Sequence, residues 1–248
     1  MKYVLLLYFA CLCNSAVRKV VQLSKKFTKY DWKREAYEHC ALSEVTLDFT
    51  PRGVHTLIGT SGSGKSTLLK LLSGMEVPTS GTIDSDGAVG TCFIDQHFYA
   101  TYPPLLSLQD VLNSLPSCRR QIYSNAFEKF KIPSTQPAQS LLESDRRLFE
   151  VILALSRVDE GAMPILCLDE WMDKDFKTTH KKLSEFFSVA CQNSNINLQV
   201  LIATHSKNVL QQFSDHVVVI NKGRIFHESK GTVRKASLPA QLLVNMID

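Results

Sequence analysis

Short apolar runs, separated by stretches with helical spacing, recur along this chain from Val17 onward. Residues 20–23, 45–49, 54–58, 81–83 and 92–94 read as strands, being brief, apolar and rich in β-branched residues. Residues 164–168 and 199–203 are continuous apolar runs, as expected of central parallel strands covered on both faces. Residues 217–220 and 224–226 flank Asn221-Lys222-Gly223, a hairpin turn. Helices are predicted over 66–73, 147–157, 178–193 and 238–246, and the polar, aromatic segment 25–39 reads as a loop. Residues from Leu106 to Leu142 carry helical patterns broken by Pro116, Pro133 and Pro137, which marks a small helical insertion, about 106–145. Alternating strands and helices with apolar strands predict an α/β fold, a mostly parallel sheet flanked by helices.

Composition narrows the class. The 248 residues are 44% hydrophobic and 21% charged, which excludes intrinsic disorder, and 11 Gly with 9 Pro exclude collagen-like and low-complexity chains. A net charge of +4, with no basic cluster, gives no reason to expect a nucleic acid partner. No run approaches the roughly 18 apolar residues that a membrane-crossing helix needs, so any role in membrane transport requires other chains to form the channel. The seven cysteines (Cys11, Cys13, Cys40, Cys92, Cys118, Cys167 and Cys191) are scattered and odd in number, and read as mostly buried thiols of a reducing compartment. Against that, Lys2, the apolar run Tyr3 to Cys13 and the small residues Asn14-Ser15-Ala16 have the three parts of a secretory signal. Residues 1–16 are therefore a candidate targeting segment, pointing to an organelle, with a buried strand, a frayed helix or a false start codon as alternatives. Residues 17–248 form one domain.

The chemistry lies at strand ends. Gly59-Thr60-Ser61-Gly62-Ser63-Gly64-Lys65-Ser66 fits the pattern GxxxxGK[ST], with a strand before it and a helix after it. Glycines let amides turn inward around phosphates, and the helix N-terminus favours an anion. Lys65 can reach β and γ phosphates, and the Ser66 hydroxyl can ligand Mg2+. The pattern arises by chance in on the order of one chain in a hundred of this length. Asp169-Glu170 end an apolar strand at the sheet edge where ligands bind. Asp169 would hold Mg2+ through water, and Glu170 would orient the attacking water. His205 and Gln96 follow strands at the same edge; either alone would be unremarkable.

Together these residues resemble the ATP-binding-cassette ATPases. Leu42-Ser43-Glu44-Val45-Thr46-Leu47 before the phosphate loop, Leu68-Leu69-Lys70-Leu71-Leu72-Ser73-Gly74 and Pro78-Thr79-Ser80-Gly81-Thr82-Ile83 after it, Gln96, Asp169-Glu170, Ala203-Thr204-His205 and the hairpin around Gly223 all match, covering about residues 18–232. Leu23-Ser24-Lys25-Lys26-Phe27 looks most like the lipoprotein-release and macrolide-export subunits. The resemblance implies a P-loop NTPase core with a small antiparallel part at the N-terminus. It implies ATP and Mg2+ as ligands, with residues 59–66 and Thr67 around the phosphates and Ser66, Gln96 and Asp169 at the metal. Glu170, His205 and Gln96 would serve hydrolysis. Phe27, or failing that Tyr30, would stack on adenine. It also implies membrane-spanning partners docked near Tyr99 to Leu112, a peripheral membrane location on an ATP-containing side, and a second ATPase domain.

Two places depart from the family. Leu141-Leu142-Glu143-Ser144-Asp145 stands where LSGGQ is expected, so Leu142 offers no hydroxyl, and Glu143 and Asp145 would set negative charge toward a partner's nucleotide. Losing one preorganised donor commonly costs on the order of 3 kcal/mol, about a hundredfold in rate. Trp171-Met172-Asp173-Lys174-Asp175 replaces the family's Pro-Thr-Ser-Ala-Leu-Asp, leaving Asp173 and Asp175 as rivals for its acid. A homodimer would carry the signature defect at both sites, whereas a heterodimer would confine it to the partner's nucleotide. The expected function is thus the ATPase subunit of a transporter; the alternative is a nucleotide-binding regulatory or scaffold protein with little turnover. A DNA-repair or chromosome ATPase would need a long coiled coil between Gln96 and Leu141, for which the interval is too short.

Overall fold

The computed structural model describes residues 17–85, 89–115, 117–158, 163–171, 177–192, 198–205 and 214–230. The candidate targeting segment, Pro116, Asp173 and Asp175, and the closing helix expected over 238–246 lie outside the described residues. In order come β1 (Val17–Tyr30), β2 (Ala36–Asp48), β3 (Gly53–Ile58), α1 (Lys65–Leu72), β4 (Ser80–Ser85), β5 (Val89–Asp95), α2 (Leu108–Ser114), α3 (Ser117–Phe130), α4 (Glu143–Ser156), β6 (Met163–Asp169), α5 (Lys177–Gln192), β7 (Gln199–Thr204), β8 (His216–Asn221) and β9 (Arg224–Lys230).

The main sheet has six strands in the order β5-β6-β7-β3-β8-β9, all parallel except β9, which returns antiparallel to β8. A smaller antiparallel sheet has the order β2-β1-β4. Strand β6 shows why its sequence is apolar throughout. Ile165 and Cys167 face one core, with α1 and the small sheet, while Leu166 and Leu168 face the other, with α4 and α5. Both faces exclude water, so no polar alternation is tolerated. Helix α4 begins one turn before the expected Arg147, and α2 is closed by a capping box in which Ser107 and Asp110 exchange hydrogen bonds.

The segment expected as a loop, 25–39, is instead a protruding two-stranded ribbon. Lys26 pairs with Cys40, Phe27 with His39, Thr28 with Glu38 and Tyr30 with Ala36. Its side chains are largely exposed, so periodicity gave no burial signal, yet Phe27, Thr28, Tyr30 and Tyr37 favour pleated backbone. The Asp31 carboxylate closes its tip by accepting from the Lys33 and Glu35 amides, each at 2.8 Å. At the other hairpin, Lys222 and Gly223 both have positive φ (46° and 76°), the two-residue turn whose twist suits a hairpin. Of the cysteines whose side chains are described, Cys92 and Cys167 are buried, while Cys40 is exposed.

At the far end of the sheet, His55 and His216 face each other through their Nδ1 atoms at 3.0 Å, with Phe49 edge-on to both. Only one proton fits between the two nitrogens. Burial holds both rings below the ordinary histidine range, His55 being pushed down to about 3. Glu228, 3.0 Å from His216 Nε2, pulls the other way, and Lys230 adds to the lowering. Unfolding frees both rings to take up protons near pH 6.5, so stability is full above that pH and lost as pH falls toward 3. The unfolding free energy from denaturant titration should therefore fall below about pH 6.5, by up to about 1.4 kcal/mol per pH unit for His55, with His216 acting in the same direction. A His55→Phe variant should flatten that acid limb; an unchanged limb would contradict the assignment.

Candidate active site

Strand register assembles the site. Ile58 pairs with Thr204, Asp169 with Ala203, and Asp95 with Asp169, so β5 and β6 end one residue short of β7 and β3 along a shared edge. The next residues of those strands, Gln96, Glu170, His205 and Gly59, therefore emerge along one edge. All were expected there, and the structure brings them together.

The loop after β3 is built by glycines. Gly64 caps α1 with φ 106° and ψ 3°, and a Cβ placed on it would lie 2.7 Å from the Ala41 carbonyl and 2.8 Å from Leu42. A Cβ on Gly59 would meet the Ile220 carbonyl at 2.2 Å. The loop is stapled from beneath: the Gly223 amide donates to the Ser63 carbonyl at 2.8 Å, and the Ser43 amide donates to the Gly223 carbonyl at 2.9 Å. Lys65 is almost wholly buried, its ammonium donating to the Gly59 and Thr60 carbonyls at 2.9 Å each. The Ser63 hydroxyl is buried without a partner among the described residues.

The Ser66 hydroxyl donates to Asp169 Oδ1 at 2.8 Å. Burial holds the Asp169 carboxyl above its usual range; the Ser66 bond opposes this, Glu170 adds to it, and the Lys70 and Lys65 ammoniums pull it back. Such a carboxylate gains by meeting a cation. Glu170 has φ 49°, and its amide donates to the Ala203 carbonyl at 3.0 Å, which turns the chain sharply at the end of β6. His205 Nδ1 stands 4.0 Å from Glu170 Oε1. Gln96 is exposed beside them. A glycine-built loop, a buried ammonium, a lone buried hydroxyl and a hydroxyl–carboxylate pair together fit a triphosphate with a hard divalent cation. Thr67 follows Ser66 in the first turn of α1. Phe27 lies half-buried on the ribbon with the Lys25 ammonium 4.9 Å over its ring, whereas Tyr30 is exposed near the ribbon's tip.

A model of the ABC transporter family matches residues 42–143, from the strand before the phosphate loop to the start of α4. Over that stretch the chain is similar to the ABC transporter ATPase domains. It is 29% identical over 204 residues to the methionine import ATP-binding protein MetN 2 of Burkholderia mallei, covering 75% of this chain and 50% of that protein. It is 29% identical over 224 residues to the phosphonates import ATP-binding protein PhnC 3 of a Nostoc species, covering 80% and 84%. The chain spans about half the length of the methionine-import relatives it matches. Its fold is that of cbiO1 from Clostridium perfringens, part of the ABC transporter complex cbiONQ (TM-score 0.66, 20% identity, 94% of this chain and 98% of that one). It is also that of a dimeric ATP-binding cassette in a post-hydrolysis state with ADP and Pi (TM-score 0.64, 19% identity, 86% and 97%).

The expectation that Glu143 and Asp145 present bare negative charge is not met. Glu143 pairs with Arg146 and Arg147, and Asp145, buried, pairs with Lys182 of α5. Leu142, at the N-cap of α4, is 74% exposed and offers no capping side chain. Sequence reading missed Glu150, a fully buried acidic residue. Its signal was there: an acid inside the apolar run Leu148 to Ile152.

Two glycines of this loop separate strain from contact. Gly62 has φ 76° but open space around it, so Gly62→Ala should cost about 1 kcal/mol. Gly64→Ala adds a backbone collision and should cost at least about 2 kcal/mol, roughly 4–8 °C in melting temperature for a domain of this size. Equal losses in thermal denaturation would show that the staple beneath Gly64 does not hold the loop.

Proposed function

We propose that this chain is the ATP-binding and ATP-hydrolysing subunit of an ABC-type transporter, driving transport through separate membrane-spanning chains. The observation that carries the reading is the 2.8 Å Ser66–Asp169 bond, which joins the phosphate loop to the strand end bearing Glu170, with His205 beside it. Among the described residues no helix is long and apolar enough to cross a membrane, in keeping with a peripheral place on an ATP-containing side. The import relatives named above support the transporter context.

In this reading the amides of Gly59, Thr60, Ser61, Gly62, Ser63 and Gly64, with Lys65, Ser66 and Thr67, wrap the phosphates. Lys65 is already held over the loop by two carbonyls and would exchange them for β and γ oxygens. Mg2+, when bound, supplies neutralisation of phosphate charge, and Ser66, Gln96 and, through water, Asp169 would hold it. Glu170 accepts a hydrogen bond from a water and aims its lone pair at the γ-phosphorus. The water oxygen bonds to that phosphorus as its bond to the β–γ bridging oxygen breaks, and the water's proton passes to the Glu170 carboxylate, leaving ADP and phosphate. His205 steadies a γ-phosphate oxygen, and Phe27 stacks on adenine. Residues 17–248 act as one domain with its helical insertion at about 106–145.

Leu142 supports a second reading, a nucleotide-binding regulatory or scaffold subunit with little turnover. If α4 presents residues 141–145 as a degenerate signature to a partner's nucleotide, Leu142 supplies no hydroxyl there. Pairing with a different ATPase domain that keeps an intact signature reconciles the two readings, since this chain's own loop and Glu170 would then be completed. A heterodimer is therefore favoured over a homodimer.

Purified protein should bind ATP·Mg2+ in equilibrium titration, and Lys65→Ala should abolish binding; normal binding by that variant would sink the assignment. The isolated chain should hydrolyse ATP slowly, about a hundredfold below an intact site of this kind. Rapid turnover by the chain alone, lost in Glu170→Gln, would contradict the reading of residues 141–145.

A further inference from the structure

We propose that Glu150 is a positioning residue whose carboxylate ties the segment after Gln96, the strand end at Glu170 and the first turns of α4 into one nucleotide-responsive unit. The inference rests on the reading of Glu170 and Gln96 given above.

Glu150 is fully buried in the middle of α4, where a charge is costly unless several donors meet it. Three do, and each comes from a different part of the site. Trp171, the residue after Glu170, donates its indole Nε1–H to Oε2 at 2.7 Å. Tyr102 lies on the segment leading away from Gln96, and its hydroxyl donates to Oε1 at 3.1 Å. Arg147, one turn earlier on α4, donates to Oε2 at 3.1 Å. Burial and the carboxylate together push the Tyr102 phenol far up, so it remains a donor across the physiological range.

The hub extends to the start of the helix. Arg147 also pairs with Glu143 at 2.9 Å, and its guanidinium sits 5.1 Å above the Trp171 ring. The path from Glu143 at the mouth of α4 to the peptide bearing Glu170 is thus one chain of charge-assisted contacts. Glu170 itself holds a left-handed backbone, so a small shift of Trp171 rotates the carboxylate that must meet water. Displacement of that order commonly costs ten- to a hundredfold in rate while leaving ligand affinity intact. Glu150 touches no reacting atom and acts through Trp171 and Tyr102.

The test uses the full chain, with its partner where one is found. Trp171→Phe removes the indole N–H together with its five-membered ring while keeping an aromatic face for Arg147, and Glu150→Gln keeps the shape while placing an amide donor among three donors. Each should lower kcat about tenfold with the Kd for ATP·Mg2+ within threefold, and the double variant should be no worse than the poorer single. Tyr102→Phe should lower kcat by a smaller factor. Unchanged kcat in folded Trp171→Phe and Glu150→Gln, or multiplying effects in the double variant, would overturn the proposal while leaving Lys65-dependent hydrolysis standing. A second readout does not need turnover. The chain has two tryptophans, Trp32 being 87% exposed and Trp171 only 3%. In Trp32→Phe protein, saturating ATP·Mg2+ should shift Trp171 emission, and the added Glu150→Gln should remove the shift. If hydrolysis proves absent, the catalytic reading fails, and an emission spectrum indifferent to ATP·Mg2+ overturns the coupled unit as well.

Discussion

Everything at this site depends on the staple beneath the phosphate loop. The Ser63 carbonyl, the Gly223 amide and carbonyl, and the Ser43 amide form a short chain of main-chain hydrogen bonds linking the loop, the β8–β9 hairpin and the small antiparallel sheet. Gly64 and Gly223 are each pressed within 2.7 Å, at their would-be Cβ, of the same Ala41 carbonyl. No side chain fits at either place, and both residues hold positive φ. The loop backbone is therefore fixed in shape before any ligand arrives, which is the condition under which backbone dipoles bind anions well.

Buried charge follows the same economy of partners. Lys65 leans on two carbonyls, Asp145 on Lys182, and Glu150 on a tryptophan, a tyrosine and an arginine. Removing one member of such a set leaves the others desolvated without compensation, a loss commonly of about 3–5 kcal/mol for a buried ion pair. Asp169 stands apart, since burial, with Glu170 adding to it, outweighs the Ser66 hydrogen bond and the Lys70 and Lys65 ammoniums and holds its carboxyl above the usual range.

Much of this was legible in the residues. Continuous apolar runs gave β6 and β7, the spacing Gly59 to Ser66 gave the loop, and Asn221-Lys222-Gly223 gave the hairpin turn. The ribbon of β1 and β2 was read as loop because its outer half buries nothing, so the pairing that orders it leaves no trace in hydrophobicity. The charges at Glu143 and Asp145 were misjudged for a related reason: sequence shows a carboxylate but not the Arg147 or Lys182 that neutralises it. The contribution of Gly223 to the phosphate loop was equally hidden, because it depends on contact between residues about 160 apart in the chain.

The shared edge at which β5, β6, β7 and β3 end, within one residue of one another, has a consequence for how such a site can change over time. Neighbouring strands in a ladder can slip only by whole residues, each about 3.3 Å, and each slip turns a side chain to the opposite face. The separation between Gln96, Glu170, His205 and Gly59 is thus quantised by backbone pairing rather than tuned by the side chains within the strands. Strand interiors can drift freely among apolar residues while the site keeps its spacing, but inserting or deleting a single strand residue would dismantle it. A scaffold of that kind tolerates wide divergence in sequence and almost none in length.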